Sequence, residues 1–148
     1  MCIRDRTGGT VIVNGPTNNG NGALDYDGTF KLTGGFLVAA GSSGMAQAPG
    51  TSSTQYIVAA VFSSAKQAGT LVNIQSSDGK EMLTFKPEKT FQSLVFSSAN
   101  LTKGTSYNFN LGGSSTGTVN DGLFSDGVYT AGSKYASFTI SGVVTVVR

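Results

Sequence analysis

Two glycine-bounded apolar blocks, Gly8-Gly9-Thr10-Val11-Ile12-Val13-Asn14-Gly15 and Gly34-Gly35-Phe36-Leu37-Val38-Ala39-Ala40-Gly41, stand 26 residues apart in this chain. A third strand-sized unit, Gly28-Thr29-Phe30-Lys31-Leu32-Thr33-Gly34-Gly35, lies between them. Short apolar strands that recur at such a spacing and are closed by Gly and Asn turns suit the coils of a β-solenoid, in which each coil buries its face on the next. Two coils cannot stand alone, because a stack of parallel strands leaves an open edge at each end. The block pattern therefore predicts the terminal part of a longer stack, with something to close it.

Composition agrees with an all-β chain. Gly, Ser and Thr together supply 56 of 148 residues, charged residues are 12%, and the formal net charge is +2. Such a chain is rich in turns and poor in helix formers. So few charges exclude a coiled coil, a basic nucleic-acid binder and an acidic disordered tail. There is no His and no Trp, and Cys2 is the single cysteine. Most general-base, thiol and zinc mechanisms lack their side chains here. The longest apolar run, Tyr56 to Phe62, is far short of the roughly 18 residues of a membrane-spanning helix. No membrane insertion and no nucleic-acid partner are expected.

Residues 1–6, Met-Cys-Ile-Arg-Asp-Arg, read as the translation of a transposon end used to prepare sequencing libraries. They are expected to be foreign to the native frame, and the native start, with any signal peptide, to lie upstream.

The remainder of the chain divides at Pro49-Gly50, where a helix breaker meets the small polar run Thr51-Ser52-Ser53-Thr54. Residues 7–50 are expected to form terminal β-helix coils and residues 51–148 an antiparallel β capping domain. In the second part Tyr56–Phe62 reads as a buried strand. Thr70–Gln75 and Glu81–Lys86 alternate apolar with polar residues around Ser77-Asp78-Gly79-Lys80, which predicts a hairpin with Gly79 at positive φ. Further strands are expected at Ser93–Phe96, Ser106–Leu111, Ala136–Ile140 and Val143–Val147, giving a compact sheet or sandwich. Residues 112–133 carry glycines at 112, 117, 122, 127 and 132 and predict a long loop or a twisted hairpin arm, most simply one that shields a sheet edge.

Candidate chemistry centres on the segment from Gly15 to Gly28. Asp25 and Asp27 are two apart, so in a strand they share a face, and Asn18, Asn19 and Asn21 add amide oxygens suited to a hard cation such as Ca²⁺. Asx turns at a coil corner would use the same residues to satisfy backbone groups. Tyr26 between the two aspartates also supplies the mixture that sugars require, a flat apolar ring beside polar groups. Asn21, Asp25, Tyr26 and Asp27 are therefore the candidate carbohydrate-binding residues, with Asp25 and Asp27 the candidate metal ligands. Tyr129, Phe124, Asp121 and Asp126 on the glycine-rich arm form a second candidate group. Catalysis finds little support: Asp25 and Asp27 are the only close carboxylate pair, and beyond residues 1–6 the only arginine is Arg148. The chain is read as no enzyme.

The run Gly8 to Pro16, the segment Gly22-Ala23-Leu24-Asp25-Tyr26-Asp27-Gly28, and the block Gly34 to Gln47 together resemble the C-terminal region of bacterial carbohydrate-binding domain-containing proteins. These are pectate-lyase-like, right-handed parallel β-helix proteins. The resemblance continues through Ser77-Asp78-Gly79-Lys80 and Lys103-Gly104-Thr105-Ser106-Tyr107, so it covers nearly all of residues 7–148. It implies an extracellular or cell-surface protein that binds plant cell-wall polysaccharide of cellulose or pectin type without cutting it, with calcium bound in some members. The alternative is a purely structural cap of a surface β-helix adhesin, and a polysaccharide lyase remnant is the third reading. In each, the upstream coils of the same chain are the first expected partner.

Overall fold

The computed structural model of the chain describes residues 2–15, 28–42, 50, 53–125 and 127–148. Among them the structure is all-β, with two sheets and no helix. A five-stranded mixed sheet runs in the order β1 (Cys2–Asn14), β2 (Gly28–Gly41), β6 (Phe91–Ser97), β3 (Ile57–Lys66), β11 (Val144–Val147). A six-stranded antiparallel sheet runs β10 (Tyr129–Thr139), β7 (Ser106–Ser115), β4 (Val72–Ser76), β5 (Glu81–Phe85), β9 (Leu123–Ser125), β8 (Thr118–Asn120).

The 26-residue repeat is the register of a parallel ladder. β1 pairs with β2 in parallel, with Val11 opposite Leu37, Ile12 opposite Val38 and Val13 opposite Ala39. The units at Gly28 and Gly34, expected as separate strands, are one continuous strand. The glycine pair bends it without ending it, because β1 carries the same kink beside it: Gly9 has φ 76° and Gly35 φ 88°, and the register slips between Arg6 and Thr10. On its other edge β2 takes β6 antiparallel, with Val38 opposite Phe96 and Ala40 opposite Leu94. The mixed sheet thus joins strands from both sides of position 50.

Leu37–Ala40 of β2 and Leu94–Phe96 of β6 are buried on both faces, and Ile57–Phe62 of β3 is buried or half-buried, which explains why these segments are apolar runs that do not alternate. One face, with Val38, Val58, Phe62, Leu94 and Phe96, packs on Val72, Ile74, Leu83, Phe85 and Phe109 of the antiparallel sheet. Phe62 is the hub of this core, with its ring in edge contact with Phe91 at 5.7 Å, Phe109 at 5.7 Å and Tyr135 at 5.1 Å. Full burial of one such side chain stabilises the fold by about 1.5–3 kcal/mol. The opposite face holds a second cluster of Leu32, Leu37, Ala39, Ile57 and Val95, against which Val11, Val13, Val143 and Val144 pack.

The expected hairpin is β4–β5, and its turn contains Gly79 at φ 95°. The 112–133 region is an arm built on the β7–β10 ladder, whose pairing extends to Ser115 opposite Tyr129. Beyond it the chain forms the small β8–β9 hairpin, and β9 returns to cover the edge of β5.

Candidate functional site

The arm borders a concave surface of the described structure. Asp121 has φ 52° and Gly122 φ 86°, and Asn120 pairs with Leu123. Left-handed backbone at both central residues makes this a type I′ turn, which matches the twist of the strands it joins. The turn is held against β5 by the Lys86 N–H, which donates to the Gly122 carbonyl at 2.7 Å, and by the single register pair Phe85 opposite Leu123. After that one pair β9 leaves β5. Phe124 and Ser125 on one side and Glu81–Thr84 on the other then enclose a cleft of about 420 Å³, with Phe36 of β2 also lining it.

The cleft combines two aromatic rings with three polar side chains. Phe36 is fixed by an edge contact with Phe96, ring centroids 5.4 Å apart at 66°. Glu81 accepts a hydrogen bond from the Thr84 hydroxyl. Ser125 reaches the Thr118 carbonyl at 3.5 Å. This size and lining suit a small ligand with one apolar face and donors on its rim, since the carboxylate can only accept.

A second groove, of about 470 Å³, opens where the edge strands of the two sheets meet, between β1 and the β8–β9 turn. Thr10, Ile12 and Asn14 line one wall, and Asn120, Asp121 and Glu88 the other. The Glu88 N–H donates to Asn14 Oδ1 at 2.9 Å and ties the β5–β6 loop to the end of β1. Among the described residues no three His, Cys, Asp or Glu side chains gather in one place.

Asn21, Asp25, Tyr26 and Asp27 lie outside the described residues, as does Asp126. The other members of the arm group are dispersed. Asp121 faces the groove beside β1, and Phe124 lines the cleft. Tyr129 serves the β7–β10 ladder: its hydroxyl donates to the Gly112 carbonyl of β7 at 2.7 Å and accepts from the Gly132 N–H of β10 at 3.3 Å. Phe36, Glu81 and Thr84 were not among the expected site residues. The Asn-Asp-Gly-Leu signature at 120–123 could have located the hairpin. Nothing local could have set Phe36 beside β5, 45 residues later.

No family model matches the chain, and neither curated proteins nor solved structures include a match.

Proposed function

We propose that this chain is a non-catalytic terminating module for a longer extracellular stack of parallel β-coils. The observation that carries the reading is the two-sided pairing of β2. One edge takes β1 in parallel at the 26-residue offset, and the other takes β6 antiparallel. A parallel stack that meets an antiparallel strand cannot add another coil on that side, so the sandwich closes it. The native reading frame is the test. It should encode further blocks at about 26-residue spacing upstream of Thr7, and those amides of β1 that point away from β2 should be protected from hydrogen exchange in that longer protein and open in this chain. An upstream sequence without such blocks overturns the reading.

A second reading, binding of plant cell-wall polysaccharide, is favoured by the cleft between Phe36 and Phe124. Aromatic faces suit the C–H side of a pyranose, and the Glu81 carboxylate suits its hydroxyls. Retention of the chain on insoluble cellulose, pectin or xylan, weakened by Phe124→Ala, supports this reading; retention that Phe124→Ala leaves unchanged removes the cleft from it. Asp25 and Asp27 are proposed within it as calcium ligands, on residue type alone. The double Asp→Asn variant should lose any calcium-dependent rise in Tm.

A further inference from the structure

Gly8 and Gly34 hold equivalent places in the two repeated blocks, yet their surroundings differ. A Cβ on Gly34 would stand 2.3 Å from the Thr7 carbonyl oxygen and 3.0 Å from its carbon. Close approach of β1 therefore leaves room at residue 34 for hydrogen alone. A Cβ on Gly8 would meet nothing within 4 Å, and the backbone there lies outside the left-handed region. Neither space nor conformation within this chain requires glycine at position 8.

The side of β1 away from β2 has no strand partner among the described residues. That edge is apolar toward both faces, since Ile12 packs on the inter-sheet core while Val11 and Val13 pack on the outer cluster. From Thr7 to Asn14 it contains no Lys and no Pro, the residues that commonly guard an edge exposed to water.

We propose that the outer edge of β1 is the docking surface for a parallel strand that sets a backbone carbonyl against Gly8, as Thr7 sets its carbonyl against Gly34. The occupant is the preceding coil of the same polypeptide, so the inference rests on the terminating-module reading and specifies its partner. That strand carries a Gly-Gly pair at the height of Gly8-Gly9. The reason is geometric: Gly9 and Gly35 are both left-handed, and the Gly9 carbonyl oxygen lies 2.6 Å from where a Cβ on Gly35 would be. The kink passes from one strand to the next with no space for side chains, and a strand without it would lose register at this level. Apolar β-branched residues follow at the heights of Val11–Val13, continuing both clusters outward.

The test uses the full chain and a fluorescent peptide TGGTVIVNG, a copy of residues 7–15, titrated by anisotropy. Wild type should bind the peptide. Gly8→Ala should bind it about tenfold more weakly or worse, from overpacking against the new strand, while its thermal unfolding stays unchanged. The peptide TAATVIVNG should bind wild type with a similar loss. Equal binding by wild type and Gly8→Ala overturns the role of Gly8 and leaves the terminating-module reading standing. Absence of peptide binding to wild type overturns both. Self-association of wild type that Gly8→Ala abolishes, with no competition by the peptide, makes a second copy the occupant and overturns the proposal.

Discussion

Asn110 donates from Nδ2 to Oδ1 of Asn73 at 3.0 Å, on the face of the antiparallel sheet turned away from Val72, Ile74 and Phe109. Asn73 in turn donates to the Leu83 carbonyl at 3.2 Å and to the Thr84 hydroxyl at 3.0 Å. Asn73, Thr84 and Asn110 are all buried, so this row of polar side chains spans three strands away from bulk water. A buried amide must find its partners within the protein, and here register supplies them: Asn73 stands opposite Thr84 on one side and Asn110 on the other.

Removing the middle member should therefore cost more than removing a surface amide. Asn73→Ala is expected to destabilise the chain by about 1–3 kcal/mol, because it leaves Asn110 Nδ2 without its acceptor. The double variant Asn73→Leu/Asn110→Leu should cost less than the sum of the two single changes, since no buried donor is then orphaned. Urea denaturation of Asn73→Ala, the two single Leu variants and the double variant measures this.

Gly34→Ala tests the close approach of β1 and β2. Its Cβ would face the Thr7 carbonyl oxygen, which is backbone and cannot swing aside. A loss of about 1–3 kcal/mol is expected, with the disturbance centred on the β1–β2 ladder. Unfolding midpoints and hydrogen exchange at Thr10–Asn14 report on it.

Thr145 has a buried hydroxyl oxygen with no hydrogen-bond partner, on a strand that otherwise reads Val144, Val146 and Val147. Valine has nearly the same shape without the polar atom. Thr145→Val is expected to stabilise the chain by about 1 kcal/mol, a rise in Tm of about 2–4 °C. An unchanged or lower Tm counts against a desolvated hydroxyl at this site.

Asp78 lies in the β4–β5 turn, where the Ser76 hydroxyl donates to its carboxylate and the Lys80 N–H approaches it at 3.4 Å. The Ser76 hydrogen bond first, then the Lys80 backbone, hold its pKa below the ordinary value of 3.8. A depressed folded pKa means that the contribution is full above pH 3.8 and is lost as pH falls through the lower folded value. Asp78→Ala should thus be less stable than wild type at neutral pH, and the difference should shrink below pH 3.8. Thermal unfolding across an acid pH series follows both chains. A gap that stays constant into strong acid would mean that the charged carboxylate is not what holds the turn.

Local signals in the chain specify most of its elements. Alternation and Gly79 mark the β4–β5 hairpin, the apolar run at Tyr56–Phe62 marks β3, and the offset between Gly8 and Gly34 is the register of β1 on β2. The arm at 112–133 was legible as glycine-rich, but its destination was not. A type I′ turn sets the geometry of β8 and β9 alone; docking on β5 depends on Leu123 meeting Phe85, a contact between residues 38 apart.

The same division separates the candidate site from the strands that carry it. Strand propensity, turn chemistry and the repeat act over a few residues or at a constant offset, so sequence alone determined an all-β chain with a parallel pair at its start. Tertiary packing alone decided that β6 closes β2, that Phe36 and Phe124 line one cleft, and that Gly34 is crowded while Gly8 is open. These outcomes depend on which distant surfaces exclude water together, and hydrophobic burial has no direction that a local pattern could encode.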